Sequence, residues 1–245
     1  MNKLLGITLI TGFLVVFGIY GYNKWFVKAS GNEISIEKDN ADALNVNIDF
    51  GVGDLLIRGN SPEWVSGEFT YTHKKLEPRV KYKKQGNVGT VDIKQGSPGF
   101  QGTTILGFKK PKYENEWDLQ LTNDIPIDLD VDMGVSTATL DLKGIQLSSL
   151  SIDGGVGESV IDLSGNWSKG FRAKMDLGVG DITIILPKET GVRVNVSKGI
   201  GTVDLKDLTK DKEGVFVNDA YANADVIIDI SLDIGVGDVK FKTAE

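Results

Sequence analysis

Carboxylates beside paired glycines recur along this chain. DFGVGD begins at Asp49, DLGVGD at Asp176 and DIGVGD at Asp233, each with one acid two residues before the first glycine and another three after it. Three kinds of chemistry use such residues: calcium binding by oxygen ligands, phosphate binding by a glycine loop, and acid–base catalysis by paired carboxylates. Calcium takes roughly six to eight oxygens, and GGVGESVID from Gly154 is similar to a calcium-binding β-roll repeat. That roll recurs roughly every nine residues, far more often than the motif does here. Aspartate beside a glycine turn also has a local task, accepting a backbone N–H in an Asx-type turn. Two acids on neighbouring strands, about 4.8 Å apart, repel by only about 1 kcal/mol in water, so the row needs no cation. The expectation is a structural turn and no cofactor, with calcium as the alternative.

Phosphate binding fits poorly, because G-V-G-D lacks the dinucleotide spacing and no helix follows it to offer an N-terminus. Catalysis has little to work with. The chain has no cysteine and a single histidine, His73, which sits in FTYTHKK among alternating polar residues as a strand-face residue would. Glu116 and Asp118 share a strand face in NEWDLQL, but acids on strand faces are expected in a chain of net charge −7. We therefore expect no enzyme; a carbohydrate-active enzyme built on a β-helix is the remaining catalytic alternative.

The elements that position these residues follow from the repeat. Six copies are anchored at Gly51, Gly134, Gly155, Gly178, Gly199 and Gly235, and the second glycine stands at Gly53, Gly157, Gly180, Gly201 and Gly237, with Ser136 in the remaining copy. The acids two before the anchor are Asp49, Asp132, Asp153, Asp176 and Asp233, with Ser197 in the sixth. From Gly134 to Gly199 the intervals are 21, 23 and 21 residues. Apolar pairs such as Val46/Ile48 and Leu55/Ile57 alternate with period two on both sides, the pattern of strands with one buried face. The inward parity changes across the motif, so the chain must bend there, and glycine permits the bend. Val179 and its equivalents, directly after the anchor, are expected to pack inward.

An all-β β-solenoid of 21–23-residue coils is the expected fold, with a β-sandwich as the alternative. Residues 60–125 break the rhythm and read as an antiparallel strand elaboration. The domain is expected over 31–245, with Lys240 and Lys242 blunting an open edge at its last coil and weak homo-oligomer formation there.

The first element differs in kind. Leu4–Tyr22 is an uncharged apolar run of nineteen residues, the length of a membrane-crossing helix of about 20 residues, and Tyr20, Tyr22 and Trp25 lie at one end of it as interfacial aromatics would. Residues 1–30 are expected to form an uncleaved single-pass anchor, with a cleaved signal as alternative. The soluble domain is expected on the extracytoplasmic side of the cell membrane.

Charge is uneven. From Tyr71 to Tyr113 nine lysines and Arg79 stand against Glu77 and Asp92, while the whole chain is acidic. In RVKYKK, Arg79, Lys81 and Lys83 share one face. Together with ILGFKKPKY, which holds Lys109, Lys110 and Lys112, they form a candidate contact for anionic lipid or wall polymer. Nucleic acid is a poor partner for so acidic a chain.

With its repeats laid out, the chain resembles the bacterial toast-rack N-terminal family, related to adhesin-like domains and to the LiaF-like C-terminal domain of cell-wall-active-antibiotic response proteins. FGVGDLLIRG, EWDLQLTNDIPIDLDVDMGVSTATLDLKG, LSSLSIDGGVGESVIDLSG, MDLGVGDITIILPKETGVRVNVSKGIGTVDL and DISLDIGVGDVKF carry the resemblance, from about Asn47 onwards. It implies a β-rich repeat domain, often membrane-associated, with no enzymatic motif to transfer. A role as envelope scaffold, adhesion or stress-sensing module follows as an expectation, or as regulatory partner of a membrane signalling protein.

Overall fold

A computed structural model describes residues 27–30, 33–96 and 114–244. The expected anchor Leu4–Tyr22 and the lysines at 109, 110 and 112 lie outside them. Among the described residues no helix is long and apolar enough to cross a membrane.

Among the described residues every long element is a strand. In chain order these are β1 (Val27–Ser30), β2 (Glu33–Ile36), β3 (Ala43–Arg58), β4 (Val65–Tyr71), β5 (Arg79–Gln85), β6 (Val88–Lys94), β7 (Asn115–Leu121) and β8 (Ile127–Asp141). There follow β9 (Leu147–Asp162), β10 (Arg172–Leu186), β11 (Gly191–Ile200), β12 (Val203–Asp204), β13 (Thr209–Lys212), β14 (Val215–Val217), β15 (Ile227–Val236) and β16 (Val239–Thr243). All belong to one hydrogen-bonded sheet.

The motif-bearing strands stack in parallel, residue on equivalent residue. Asp49 lies beside Asp132, Asp132 beside Asp153, Asp153 beside Asp176 and Asp176 beside Asp233. Parallel register excludes the meandering antiparallel pairs of a β-sandwich. Each long strand also folds back on itself at its glycines. Only Leu142 to Gln146 separate β8 from β9, and such a link spans about 20 Å. A straight strand of β9's length would run roughly 50 Å, so its ends meet the link only if the strand is bent double.

The bend encloses the core. Before the corner, Leu44, Val46, Ile48 and Phe50 face inward; after it, Leu55 and Ile57 do, and all six are buried. The inward parity therefore switches across Gly51–Asp54, as the odd spacing requires. Equivalent side chains from each layer, such as Leu129, Val131, Ile152, Met175 and Leu232, form one continuous core.

Two expectations are corrected. First, the break between Gly51 and Gly134 conceals a further layer: β6 pairs in parallel with the first half of β3, and β7 with its second half. Val91 and Ile93 occupy the inward places beside Val46 and Ile48, and Trp117 and Leu119 those beside Leu55 and Ile57. In the chain, residues 95–114 separate β6 from β7 of this layer. The antiparallel pairs β5–β6, β4–β7 and β2–β4 are built onto it.

Second, the last coil is not at an edge. β15 lies between β10 and β11, and β16 between β10 and β12, so Lys240 and Lys242 blunt nothing. The hairpin β13–β14 covers β11 instead, and it is Lys210 and Lys212, exposed on β13, that occupy the outer strand. Asn218 fixes this arrangement. Its buried amide donates to the carbonyls of Thr190 (2.8 Å) and Pro187 (3.2 Å) and accepts from Val192 N–H (2.9 Å).

Candidate functional site

The glycine corners line up across the layers and place the motif residues in rows. The second glycine sets the geometry. Gly180 has φ +156°, and a Cβ there would stand 1.7 Å from the carbonyl oxygen of Gly157. Gly157 meets Ser136 O in the same way. Neither the left-handed backbone nor the approach of the next layer tolerates a side chain. The anchor glycines Gly51, Gly134, Gly155, Gly178, Gly235 and Gly199 stack alongside, with Gly53, Gly237 and Gly201 completing the second row.

Carboxylates flank the corner on both sides. On the near side Asp49, Asp132, Asp153, Asp176 and Asp233 form a ladder. Lys94, in the concealed layer, stands 3.9 Å from Asp49, and Lys174 pairs with Asp176. Oxygens of Asp130, Asp132 and Asp153, all exposed, lie within 4.8 Å of one another. The Asp132 carboxyl is held above the ordinary range by lost hydration, then by Asp130, Asp153 and Asp49, with Lys94 pulling the other way. Three exposed carboxylates supply part of a calcium shell. Among the described residues none of the five ladder acids accepts an N–H of its own corner, so the Asx turn is not made.

The far-side acids do the bonding. Asp238 accepts from Thr202 N–H at 2.9 Å and Thr202 Oγ1 at 2.7 Å. Those bonds hold its carboxyl below the usual range. Asp181 accepts from Asp238 N–H at 3.4 Å. These bonds join layers, which reading one copy at a time cannot reveal.

Between the two acidic rows runs an apolar one. Val52, Val135, Val156, Val179, Val236 and Ile200 are exposed by 40%, 58%, 50%, 48%, 42% and 73%. The expectation that Val179 packs inward fails because the inward residue precedes the anchor: Phe50, Met133, Leu177 and Ile234 are buried there. At Gly154 that side chain is missing, and Leu177 leans over to fill the space.

The row ends where the concealed layer begins. Gln95 Oε1 accepts from Gly51 N–H (2.8 Å) and Val52 N–H (3.1 Å), and Asn115 Nδ2 donates to Val52 O (2.6 Å). These two buried amides replace the backbone that a further corner would have offered. Their signal was in the sequence, since TVDIKQ and NEWDLQL carry the period-two pattern of the two strand halves.

Other candidates have structural surroundings. His73 is not on a strand face; its Nδ1 accepts from Lys75 N–H at 3.1 Å and caps the short 3₁₀ turn Lys74–Leu76. Asp118 shares its strand face with Glu116 but pairs with Arg58 at 2.8 Å. On β5 Arg79 and Lys81 are exposed and Lys83 half-buried, while Tyr82 is buried behind them. Tyr82 O–H donates to Asp39 at 2.9 Å, and that carboxylate also receives Trp64 Nε1–H at 3.1 Å.

The solved structure of a candidate cell adhesion protein from Clostridium sporogenes is 27% identical, covers 91% of this chain and 100% of its own, and superposes with a TM-score of 0.79. A candidate adhesin from Bacteroides fragilis is 14% identical over 92% of this chain and all of its own, but its TM-score is 0.27. No curated protein matches. The C-terminal domain of the cell wall-active antibiotics response protein LiaF matches residues 135–241. The N-terminal domain of toast_rack (DUF2154) matches residues 26–185, well over half of the chain. The chain belongs to the toast-rack N-terminal domain family.

Proposed function

We propose that this protein is a non-enzymatic module of the cell envelope, held to the membrane by Leu4–Tyr22, with its β-solenoid domain on the extracytoplasmic side. The observation that carries the reading is the likeness to the Clostridium sporogenes protein over 91% of this chain, joined to an apolar run of membrane-spanning length. Neither the adhesin-like nor the LiaF-like family is one of enzymes, and of the pair Glu116 and Asp118 the second is engaged by Arg58. The domain acts through its surface, as an adhesion or scaffolding element.

The basic strand β5 is its contact with anionic lipid or wall polymer, through Arg79, Lys81 and Lys83. Alkaline phosphatase fused after Glu245 tests the orientation: it is active if the domain is exported and inactive if it is cytoplasmic, which would remove the envelope role. Co-sedimentation with anionic vesicles tests the contact, which is expected to weaken when Arg79, Lys81 and Lys83 become alanine and to fall with salt. Sedimentation indifferent to both would remove it. A second reading, regulatory partner of a membrane signalling protein, is favoured by the LiaF-like match over residues 135–241.

A further inference from the structure

The exposed apolar row at the corners is unusual for a soluble surface. Six β-branched aliphatic residues stand side by side on neighbouring strands β3, β8, β9, β10, β15 and β11, a stripe about 24 Å long at the spacing of parallel strands. Soluble proteins seldom expose apolar residues contiguously without a use for them. Strand propensity does not explain it, because threonine is equally β-branched. At neighbouring positions of the same corners polar residues do replace the common ones: Ser197 for aspartate, Ser136 for glycine, Thr137 and Thr202 for an acid. In the stripe no copy is polar.

The borders decide what could cover it. On one side runs the ladder from Asp49 to Asp233; on the other stand Asp54, Glu158, Asp181 and Asp238, all exposed. Lys94 and Lys174 are paired with ladder acids; Lys198, which donates to Gly201 O, keeps its charge at the Ile200 end, and the rest of both borders is acidic or neutral. An anionic lipid or wall polymer would meet like charge on both borders. A second copy laid stripe to stripe would set carboxylate against carboxylate. A cationic partner meets opposite charge on each side.

We propose that this stripe is the docking surface for a cationic amphipathic helix of a partner protein, its apolar face on the valines and its Lys or Arg side chains over the two acidic rows. A helix turn advances 5.4 Å, close to the strand spacing, and about 16 residues span the stripe at 1.5 Å each. The proposal deepens the envelope-module reading and rests on it only for where the partner would be met.

The probe is a fluorescein-labelled 16-residue peptide of leucine and lysine, with leucines at helical spacing i, i+3, i+4, i+7. It is titrated against the full chain held in zwitterionic nanodiscs, with empty nanodiscs as blank. Binding is expected in the micromolar range and to weaken with salt. A scrambled peptide of identical composition should bind at least about tenfold more weakly, and so should the parent peptide against Val135→Thr/Val156→Thr/Val179→Thr, which keeps the β-branched shape. Asp153→Asn/Asp233→Asn should weaken binding and flatten its salt dependence. Equal binding of the scrambled peptide, or a threonine variant that binds as tightly as the parent, overturns the proposal. So does a dimer or an anionic-vesicle interaction that the threonine variant abolishes, since either would make a different occupant responsible. The measurement is made on purified protein, so its failure is separate from that of the envelope reading, which the phosphatase fusion tests.

Discussion

At the scale of single residues, the corner distinguishes two glycine-row positions that look alike in sequence. Gly180 has no room for a methyl group, whereas Ser136 occupies the equivalent place in β8, and among the described residues only Asn60 is a non-glycine with positive φ. Gly180→Ala should cost more than about 3 kcal/mol, combining backbone strain with a clash against a carbonyl that the ladder holds in place. Ser136→Gly should cost no more than about 1 kcal/mol, from chain entropy alone; urea unfolding of the two variants compares them. The acid ladder gives a prediction with a sign. The folded chain binds the Asp132 proton more tightly than the unfolded chain, so this carboxyl lowers stability as pH rises from about 3.8 through its raised value. Asp132→Asn should therefore raise Tm at pH 7, by about 1–3 °C for an exposed group, and leave it unchanged near pH 3, by differential scanning fluorimetry. Millimolar calcium should shift the parent's Tm by less than about 1 °C, because the ladder's repulsion is already offset at Asp49 and Asp176 by lysines.

At the scale of elements, the bent strand is the unit, and its two halves were legible because burial alternates with period two on each side of the glycines. The row of the inward residue was not. Valine beside glycine looks like core until it is seen that the residue before the anchor already fills the interior, as Phe50 and Leu177 do. The concealed layer was missed for a related reason: without its glycines, β6 and β7 read as separate strands, although Val91, Ile93, Trp117 and Leu119 keep the spacing. Its closing device is testable. Gln95→Ala leaves the N–H groups of Gly51 and Val52 without their acceptor and should cost about 2–3 kcal/mol in thermal or urea unfolding, whereas Lys94→Ala, removing only an exposed ion pair, should cost less than about 1 kcal/mol.

At the scale of the whole molecule, charge runs along the stacking direction. Arg79 and Lys94 stand at one end of the row that continues through Asp49, Asp132, Asp153, Asp176 and Asp233. Basic and acidic contacts are thereby kept at different places on one sheet. The order of layers was not legible, because equal repeats give no sign of which neighbours which. β15 and β16 come last among the described strands yet sit inside the stack, pairing with β10 on one side and with β11 and β12 on the other. A chain ending at Val226 should therefore lose more than its last layer, leaving β10 and β11 with open edges, and should aggregate or be degraded where removal of an outermost layer would be tolerated. During synthesis, too, the ribosome releases β10 and β11 well before the strand that joins them. Such a fold cannot be completed in the order in which it is made. Its two halves must wait, side by side and unsealed, until the chain threads the final strand between them, and the interval is a point at which a chaperone or an export channel could hold the protein open.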